Sequence, residues 1–309
     1  MPLSRPPRLG FIGAGRLARC LALGFARADY PVVAVTSRSS GSARELAATI
    51  DGCLALDDPQ QVVEAADVVF LAVPDDSIGT VANTLHFDDA GAIAPATKAL
   101  VHCSGATSVE VLARAREQGA STGGFHPLYL FSGGSADLER IAGCSVTIEA
   151  DGALKDVLVA LAQALGCHPL TIAGDQRMLY HGAAHYAASF ALCALSEAAS
   201  LWRGLGLDEA QALRALLPML AGTIDAAREK GLPGALAGPV SRGDADLLHR
   251  QLACFEALGG DHAALYALLT RRAVALARLR PTPPASLDAI EASVEATLAR
   301  VLASSASDK

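Results

Sequence analysis

Short apolar runs alternate with amphipathic stretches along the first half of the chain. An apolar run of roughly four to eight residues is typical of a buried strand, and an apolar period of about 3.6 residues is typical of a helix. The runs that predict strands are RLGFIGAG, PVVAVTSR, ADVVFLAVP, KALVHCSG, STGGFHPL and CSVTIEA. The stretches with helical periodicity include RLARCLALGFARA, SARELAATI, SVEVLARAREQG and ALKDVLVALAQALG. The alternation predicts a mostly parallel, doubly wound α/β sheet with crossover helices.

Strand signals end after the run HPLTIA, close to Gly174. From Asp175 onward the pattern is helical, with breaks at 204–206, 230–244 and 280–286, where glycine and proline interrupt it. We therefore predict two domains, an α/β domain at 1–174 and an all-α domain at 175–309.

Composition narrows the class of protein. The chain has 309 residues, of which 51% are hydrophobic, so it can bury a large core. A formal net charge of -7 disfavours binding to nucleic acid. Seven cysteines without a C-x-x-C pair indicate reduced thiols in a cytoplasmic protein rather than a zinc or dithiol motif, and no metal is expected.

Two apolar stretches raise the question of a membrane. The N-terminal stretch MPLSRPPRLGFIGAGRLARC has an arginine at Arg16 soon after its apolar patch begins, which does not fit a signal peptide. The stretch 183–202 contains His185, Ser189 and Glu197 among many small residues. That composition favours a helix buried between subunits over a membrane span, and it predicts a homodimer formed through the helical domain.

A glycine-rich turn follows the first predicted strand. Gly13, Gly15 and Ala18 form the pattern G-x-G-x-x-A, in which the first glycine permits a tight turn and the second lets the backbone approach a pyrophosphate. The helix that follows offers its N-terminal N–H groups to the phosphates. This Rossmann-like pattern predicts a dinucleotide site, with Ala14, Arg16 and Leu17 in the same turn. A plain tight turn is the alternative.

The end of the second predicted strand distinguishes between cofactors. An NAD site normally has Asp or Glu there, whereas this chain has Ser37, Arg38 and Ser39. A guanidinium flanked by two hydroxyls suits a 2′-phosphate, so we predict NADP (NADPH). The alternative is a solvated loop arginine. Val73 and Pro74, at the end of the run ADVVFLAVP, are expected to face the nicotinamide.

An ionisable ring stands in the segment STGGFHPLYLFSGG, where glycines and Pro127 stop a helix or a long strand. His126 is therefore predicted at a strand end. It either bonds the backbone of a turn or serves an active site.

Several segments in order resemble a family of Rossmann-like candidate NADP oxidoreductases with a C-terminal helical domain of unknown function. They are FIGAGRLA, LAVPDDSI, HCSGA, FHPL, DQRMLYHGAA and GPVSRGD, and the likeness covers nearly the whole chain. The family more distantly resembles prephenate dehydrogenase, pyrroline-5-carboxylate reductase and the 3-hydroxyacid dehydrogenases. Some members are regarded as an alternative type of ketopantoate reductase.

The resemblance implies roles for particular residues. His126 matches a catalytic histidine of the prephenate dehydrogenases, and Ser104 and Gly105 match the substrate loop of the 3-hydroxyacid dehydrogenases. His181 lies near the position of a catalytic lysine in the latter. His185 is expected to serve packing or dimer contact. Ser189 stands where the family more usually has Asn.

The segment GPVSRGD supplies a second candidate for substrate binding. Arg242 could clamp a substrate carboxylate through two hydrogen bonds. The alternative is that Arg242 and Asp244 only fix the loop and cap the next helix.

These predictions combine into reversible hydride transfer between NADPH and a small oxo acid, with ketopantoate as an example. His126, as an imidazolium with a pKa near neutrality, would protonate the carbonyl oxygen, Ser104 would orient that oxygen, and His181 is the reserve acid. One alternative is an imine reductase of the pyrroline-5-carboxylate reductase type. Another is a non-catalytic sensor that binds NADP.

Overall fold

The first part of the chain forms one eight-stranded sheet. The structure is a computed structural model that describes residues 5–87 and 98–307. The spatial order of the strands is β3-β2-β1-β4-β5-β6-β7-β8, and all neighbouring pairs are parallel except β6 and β7. The strands are β1 Leu9–Ile12, β2 Val32–Thr36, β3 Leu54–Ala55, β4 Val68–Leu71, β5 Ala99–His102, β6 Ser121–Pro127, β7 Ser145–Glu149 and β8 His168–Thr171. The predicted mostly parallel, doubly wound sheet is confirmed.

Helices connect the strands and make up the rest of the chain. The helices of the sheet region are α1 Arg16–Arg27, α2 Ser40–Ala47, α3 Pro59–Ala65, α4 Ile78–Ala82, α5 Ala113–Glu117, α6 Asp137–Arg140 and α7 Gly152–Ala164. Those that follow are α8 Arg177–Ala187, α9 Ser189–Gly204, α10 Glu209–Ala235, α11 Pro239–Arg242, α12 Ala245–Leu258, α13 His262–Arg278 and α14 Leu287–Ser307. No strand follows β8 in the described residues, as predicted.

Local sequence explains where elements begin and end. The predicted helix SVEVLARAREQG is split into a 3₁₀ turn at Val109–Leu112 and the short α5. Gly231 has φ 69° and ψ 168° and so interrupts α10, inside the predicted break at 230–244. The short β3 and α3 were not predicted, because neither is long enough to show a period.

The register of the sheet aligns the ends of four strands with an inner position of a fifth, β6, which continues to Pro127. Thr36, Ile12, Leu71, His102 and Gly124 pair in one row across β2, β1, β4, β5 and β6. Two positions beyond that row, at the carboxyl edge, stand Arg38, Ala14, Val73, Ser104 and His126. The predicted cofactor turn, the second-strand arginine and the predicted catalytic histidine therefore follow the same edge of the sheet.

The chain divides into two compact units, 1–191 and 192–309. The sheet, α8 and the first residues of α9 belong to the first unit, which thus extends past the predicted boundary near residue 174. The second unit has its own core, in which Leu248 and Leu252 of α12 pack with Val274 of α13 and Ile290 of α14.

No helix among the described residues combines the length and the apolar character that a bilayer crossing needs. Residues 1–4, the start of the stretch predicted not to be a signal peptide, lie outside the described residues.

Candidate active site

The turn between β1 and α1 leaves space where a cofactor is expected. Gly13 has φ 113°, and a Cβ there would overlap the backbone of Ala72, so this glycine serves the turn itself. A Cβ on Gly15, in contrast, would meet nothing within 4 Å. Gly15 precedes α1, whose first turn has no acidic residue and no side-chain cap. Its N–H groups are therefore available to an anion.

Arg38 is exposed just beyond β2. It has no ion pair or hydrogen-bond partner among residues 5–87 and 98–307. Ser39 caps α2, since its hydroxyl oxygen accepts from Ser42 N at 3.4 Å and from Ser42 Oγ at 3.1 Å. The Ser39 proton stays available for donation. A free guanidinium with neighbouring hydroxyls fits a phosphate.

The loops after β4 and β5 are tied together by Ser104. Ser104 Oγ donates to Asp75 Oδ2 at 2.7 Å and accepts from the N–H groups of Ala106 and Thr107 at 3.2 and 3.0 Å. A hydroxyl has one proton, and here the carboxylate of Asp75 accepts it. These hydrogen bonds are typical of a serine that stabilises a turn. A substrate oxygen could accept the Ser104 proton only by taking the place of Asp75 Oδ2.

Gly105 lies directly against two of the predicted catalytic side chains. A Cβ on Gly105 would lie 2.7 Å from both His126 Cε1 and His181 Cδ2. Only glycine allows this approach of the loop to the rings. The structure thus brings Ser104, Gly105, His126 and His181 close together, and their roles stay predictions.

The environment of His126 changes its expected charge. Burial lowers the pKa of His126 to about 4, His181 and Arg177 act in the same direction, and Asp75 opposes them. The ring in this environment is therefore neutral at pH 7, which differs from the pKa near neutrality expected from the sequence. Tyr180 Oη lies 3.4 Å from His126 Nδ1. In the tautomer in which Tyr180 donates to Nδ1, Nε2 carries the proton beside Gly105.

A buried arginine that was not predicted supports this region. Arg177, the first residue of α8, is 1% exposed, and its guanidinium donates to Glu149 Oε2 at 2.9 Å and to the backbone oxygen of Ser104. A Cβ on Gly124 would lie 3.1 Å from Arg177 Nη1. Arg177 thus joins β6, β7 and the loop after β5. The sequence signal that could have identified Arg177 is its position in the motif DQRMLYHGAA.

His102 lies beneath the same loop and is fully buried. Its Nδ1 accepts from Ser104 N at 3.2 Å. The pKa of His102 is lowered to about 3, mainly by burial and also by the nearby Arg177 and His126. His102 is therefore a second neutral imidazole and holds the loop.

The rings of α8 border a cavity of about 350 Å³ within the first unit. Its walls include His126, His181, His185 and Ser189. The His181 and His185 ring centroids are 5.1 Å apart. His185, expected to serve packing, is thus also exposed to the cavity. A cavity of about 570 Å³ elsewhere in the unit contains none of the predicted site residues.

Arg242 belongs to the second unit and is exposed at the end of α11. Its loop is held by Arg280, which donates to Ser241 O at 2.8 Å, and by Ser286, which donates to Gly243 O at 2.6 Å. Asp244 caps α12 by accepting from Leu247 N at 3.0 Å. Asp244 therefore has the capping role of the alternative interpretation, and the role of Arg242 stays a prediction.

Within the part of the chain that the structure describes, no three His, Cys, Asp or Glu side chains are arranged to hold a metal ion.

The fold and this site define a Rossmann-like protein with a helical C-terminal region. Two family models match: a Rossmann-like domain at residues 3–127, and a domain of unknown function, DUF2520, at residues 144–273. The chain therefore combines a Rossmann-like domain with a DUF2520 domain, as the resemblance implied. No curated protein sequence matches the chain.

Solved structures support the same architecture. Protein TM1727 from Thermotoga maritima is 26% identical with a TM-score of 0.69, and the match covers 87% of this chain and 98% of that chain. A candidate NADP oxidoreductase, BF3122, from Bacteroides fragilis is 24% identical with a TM-score of 0.64 and the same coverage. A pyrroline-5-carboxylate reductase from Coxiella burnetii is 17% identical with a TM-score of 0.58, covering 95% and 98%. The last two likenesses show a shared fold.

Proposed function

We propose that this protein is an NADPH-dependent oxidoreductase that reduces a small oxo acid. The register of the sheet carries the proposal, because the glycine turn, Arg38, Val73, Ser104 and His126 follow one row of paired residues. In sheets of this kind, ligands bind outside the carboxyl ends of the strands, where the order reverses. The likeness to an oxidoreductase and a reductase agrees with this function.

The residues at this edge fit NADPH. Ala14, Gly15, Arg16 and Leu17 would hold the pyrophosphate against the start of α1. Ser37, Arg38 and Ser39 would bind the 2′-phosphate. Val73 and Pro74 would border the nicotinamide.

Two glycine substitutions distinguish the binding of NADPH from the stability of the turn that would hold it. Gly15→Ala puts a methyl group into open space, so we expect weaker NADPH binding and unchanged stability. Gly13→Ala forces a side chain into the backbone of Ala72 at positive φ, so we expect a loss of stability. Unchanged NADPH affinity in a folded Gly15→Ala variant would contradict the proposed cradle.

His126 would act on the carbonyl oxygen of the substrate. When bound, NADPH supplies the hydride. The neutral ring can donate a hydrogen bond from Nε2 to the oxygen as negative charge develops there. An anionic substrate beside the ring raises the pKa of His126 and so favours the imidazolium that can transfer a proton. His181 is the reserve donor, and Ser104 would orient the same oxygen.

Arg242 is proposed to hold the carboxylate of the substrate. It is exposed, and the loop that carries it is fixed by Arg280 and Ser286. A planar guanidinium suits a carboxylate.

The neutral His126 favours a second candidate, an imine reductase of the pyrroline-5-carboxylate reductase type. An imine nitrogen takes a proton more readily than a carbonyl oxygen, so reduction needs less help from an acid. The structural likeness to a pyrroline-5-carboxylate reductase agrees with this alternative.

The experiment that separates these functions measures NADPH consumption with ketopantoate and related oxo acids, and with cyclic imines. We expect oxo acids to be reduced, with turnover falling about 100-fold in His126→Asn while NADPH still binds. His185→Asn is the matched control on the same cavity. Full turnover in His126→Asn would remove His126 from the role. If NADPH binds but is not oxidised with any of these compounds, the result would favour the non-catalytic sensor that binds NADP.

We also propose that the protein is a cytoplasmic homodimer. Large apolar side chains are exposed on α8, including Met178, Leu179 and Tyr186, and on α10, including Met219 and Leu232. Exposed apolar surface of this extent marks protein interfaces. Sedimentation velocity measures the state directly.

A further inference from the structure

Cys144 and Cys167 face each other at the start of two neighbouring strands. β7 and β8 are parallel, and their first registered pair is Ser145 with His168. The two cysteines immediately precede that pair, so they are opposite each other with side chains on the same face. Adjacent strands bring Cα atoms to about 4.8 Å, within the range that a disulfide requires.

The two sulfur atoms are already in contact. Cys144 Sγ and Cys167 Sγ are 3.6 Å apart. A disulfide needs about 2.05 Å, a difference that small side-chain rotations can supply. All seven cysteines are free thiols in this structure.

The two thiols differ in access and acidity. Cys144 is partly exposed, whereas Cys167 is 4% exposed and packs in the core of the sheet. The hydrogen-bonded contact with Cys167 lowers the pKa of Cys144. The same interaction raises the pKa of Cys167, and burial adds to it. Cys144 is thus the group that an external reagent reaches first as a thiolate.

We propose that Cys144 and Cys167 form a reversible redox site that closes to an intramolecular disulfide by exchange with a small-molecule disulfide. The Cys144 thiolate attacks one sulfur of the reagent, whose S–S bond breaks to release one thiolate. Cys167 then loses its proton and attacks the Cys144 sulfur, which releases the second thiolate. The protein loses two electrons and two protons, and the reagent is reduced to two thiols.

The reaction of Cys144 with the reagent makes the attack by Cys167 easier. The contact that raises the pKa of Cys167 is with Cys144, and it weakens once Cys144 is bonded to the reagent. Attack by Cys167 then requires no long-range rearrangement, because β7 and β8 already hold the two sulfur atoms in contact.

The test uses full-length protein in which the exposed Cys193 and Cys254 are replaced by Ser, incubated with oxidised glutathione. We expect the loss of two thiols per chain and one linked peptide pair, Cys144 with Cys167, in a non-reduced digest analysed by mass spectrometry. Reduced glutathione should reverse it. Cys53, which is partly exposed and has its pKa raised to about 11 by burial, is the internal control for slow reaction.

Two single variants separate the steps. Cys167→Ser should trap one glutathione on Cys144, and Cys144→Ser should leave Cys167 unmodified. A folded protein that keeps both thiols, or that links Cys144 to Cys20 instead, would overturn the proposal. Circular dichroism before and after treatment establishes that the protein is folded.

Discussion

The phenylalanines of the sheet and of α1 are in opposite surroundings to the large apolar residues of α8 to α10. Phe11, Phe25, Phe70 and Phe125 are fully buried, and the Phe11 and Phe70 rings stack with centroids 5.2 Å apart. Phe190, at the start of α9, is 51% exposed. The sheet region therefore buries its large apolar side chains within its own core, whereas the helices leave apolar surface exposed, on which the proposal of a dimer rests.

The largest predicted effect comes from making the same substitution, phenylalanine to alanine, at a buried and at an exposed position. Phe70→Ala should lower the free energy of unfolding by about 3–5 kcal/mol, because it leaves a cavity among packed rings. Phe190→Ala, at an exposed position of the same unit, should cost far less. Urea unfolding followed by circular dichroism measures both. Equal costs would mean that the exposed face is packed as tightly as the core.

The next effect concerns the buried charge beneath the site. Glu149→Gln removes the carboxylate partner of Arg177, which is 1% exposed, and should cost about 3 kcal/mol of stability. Glu110→Gln is the control, since its ion pair with Arg116 lies on the surface. The comparison fails if the two variants unfold at the same urea concentration.

The pH dependence of stability tests the two neutral imidazoles. The pKa values of His102 and His126 are lowered to about 3 and about 4, below the unfolded value of about 6.5. The unfolded chain binds more protons below pH 6.5, so stability is full above that pH and falls as pH drops towards 4. Each histidine contributes at most about 1.4 kcal/mol per pH unit. His126→Asn should lessen the loss between pH 7 and pH 5, and an unchanged pH slope would contradict its lowered pKa.

The smallest effect on folding is expected on the exposed helices. Leu217→Glu, on α10, should leave the unit folded but weaken self-association by at least about tenfold, because an interface would bury the carboxylate. Lys230→Gln, at an exposed position of the same helix, changes the net charge by the same one unit and is the charge-matched control. Sedimentation velocity across a concentration series compares them. A wild type that is monomeric throughout would remove the proposed dimer.

The sequence predicts more of the sheet than of the site. Apolar runs identified seven of the strands. Six of these are mostly buried, and a buried strand is apolar along its length, whereas β8 is largely exposed. The sequence placed His126 at a strand end but did not predict its charge, because the pKa of the ring depends on burial and on His181 and Arg177. Likewise, the bond from Ser104 to Asp75 joins two loops that are distant in sequence, and no local pattern predicts it.

The most direct test of the central claim is a titration of the purified protein with NADPH and with NADH, repeated with Arg38→Asp. We expect NADPH to bind at least about tenfold more tightly than NADH, and the substitution to remove this preference, because Arg38 is an exposed cation just beyond β2. If the wild-type protein bound neither nucleotide, the proposed cofactor site would be wrong, and the glycine turn would be part of the fold alone.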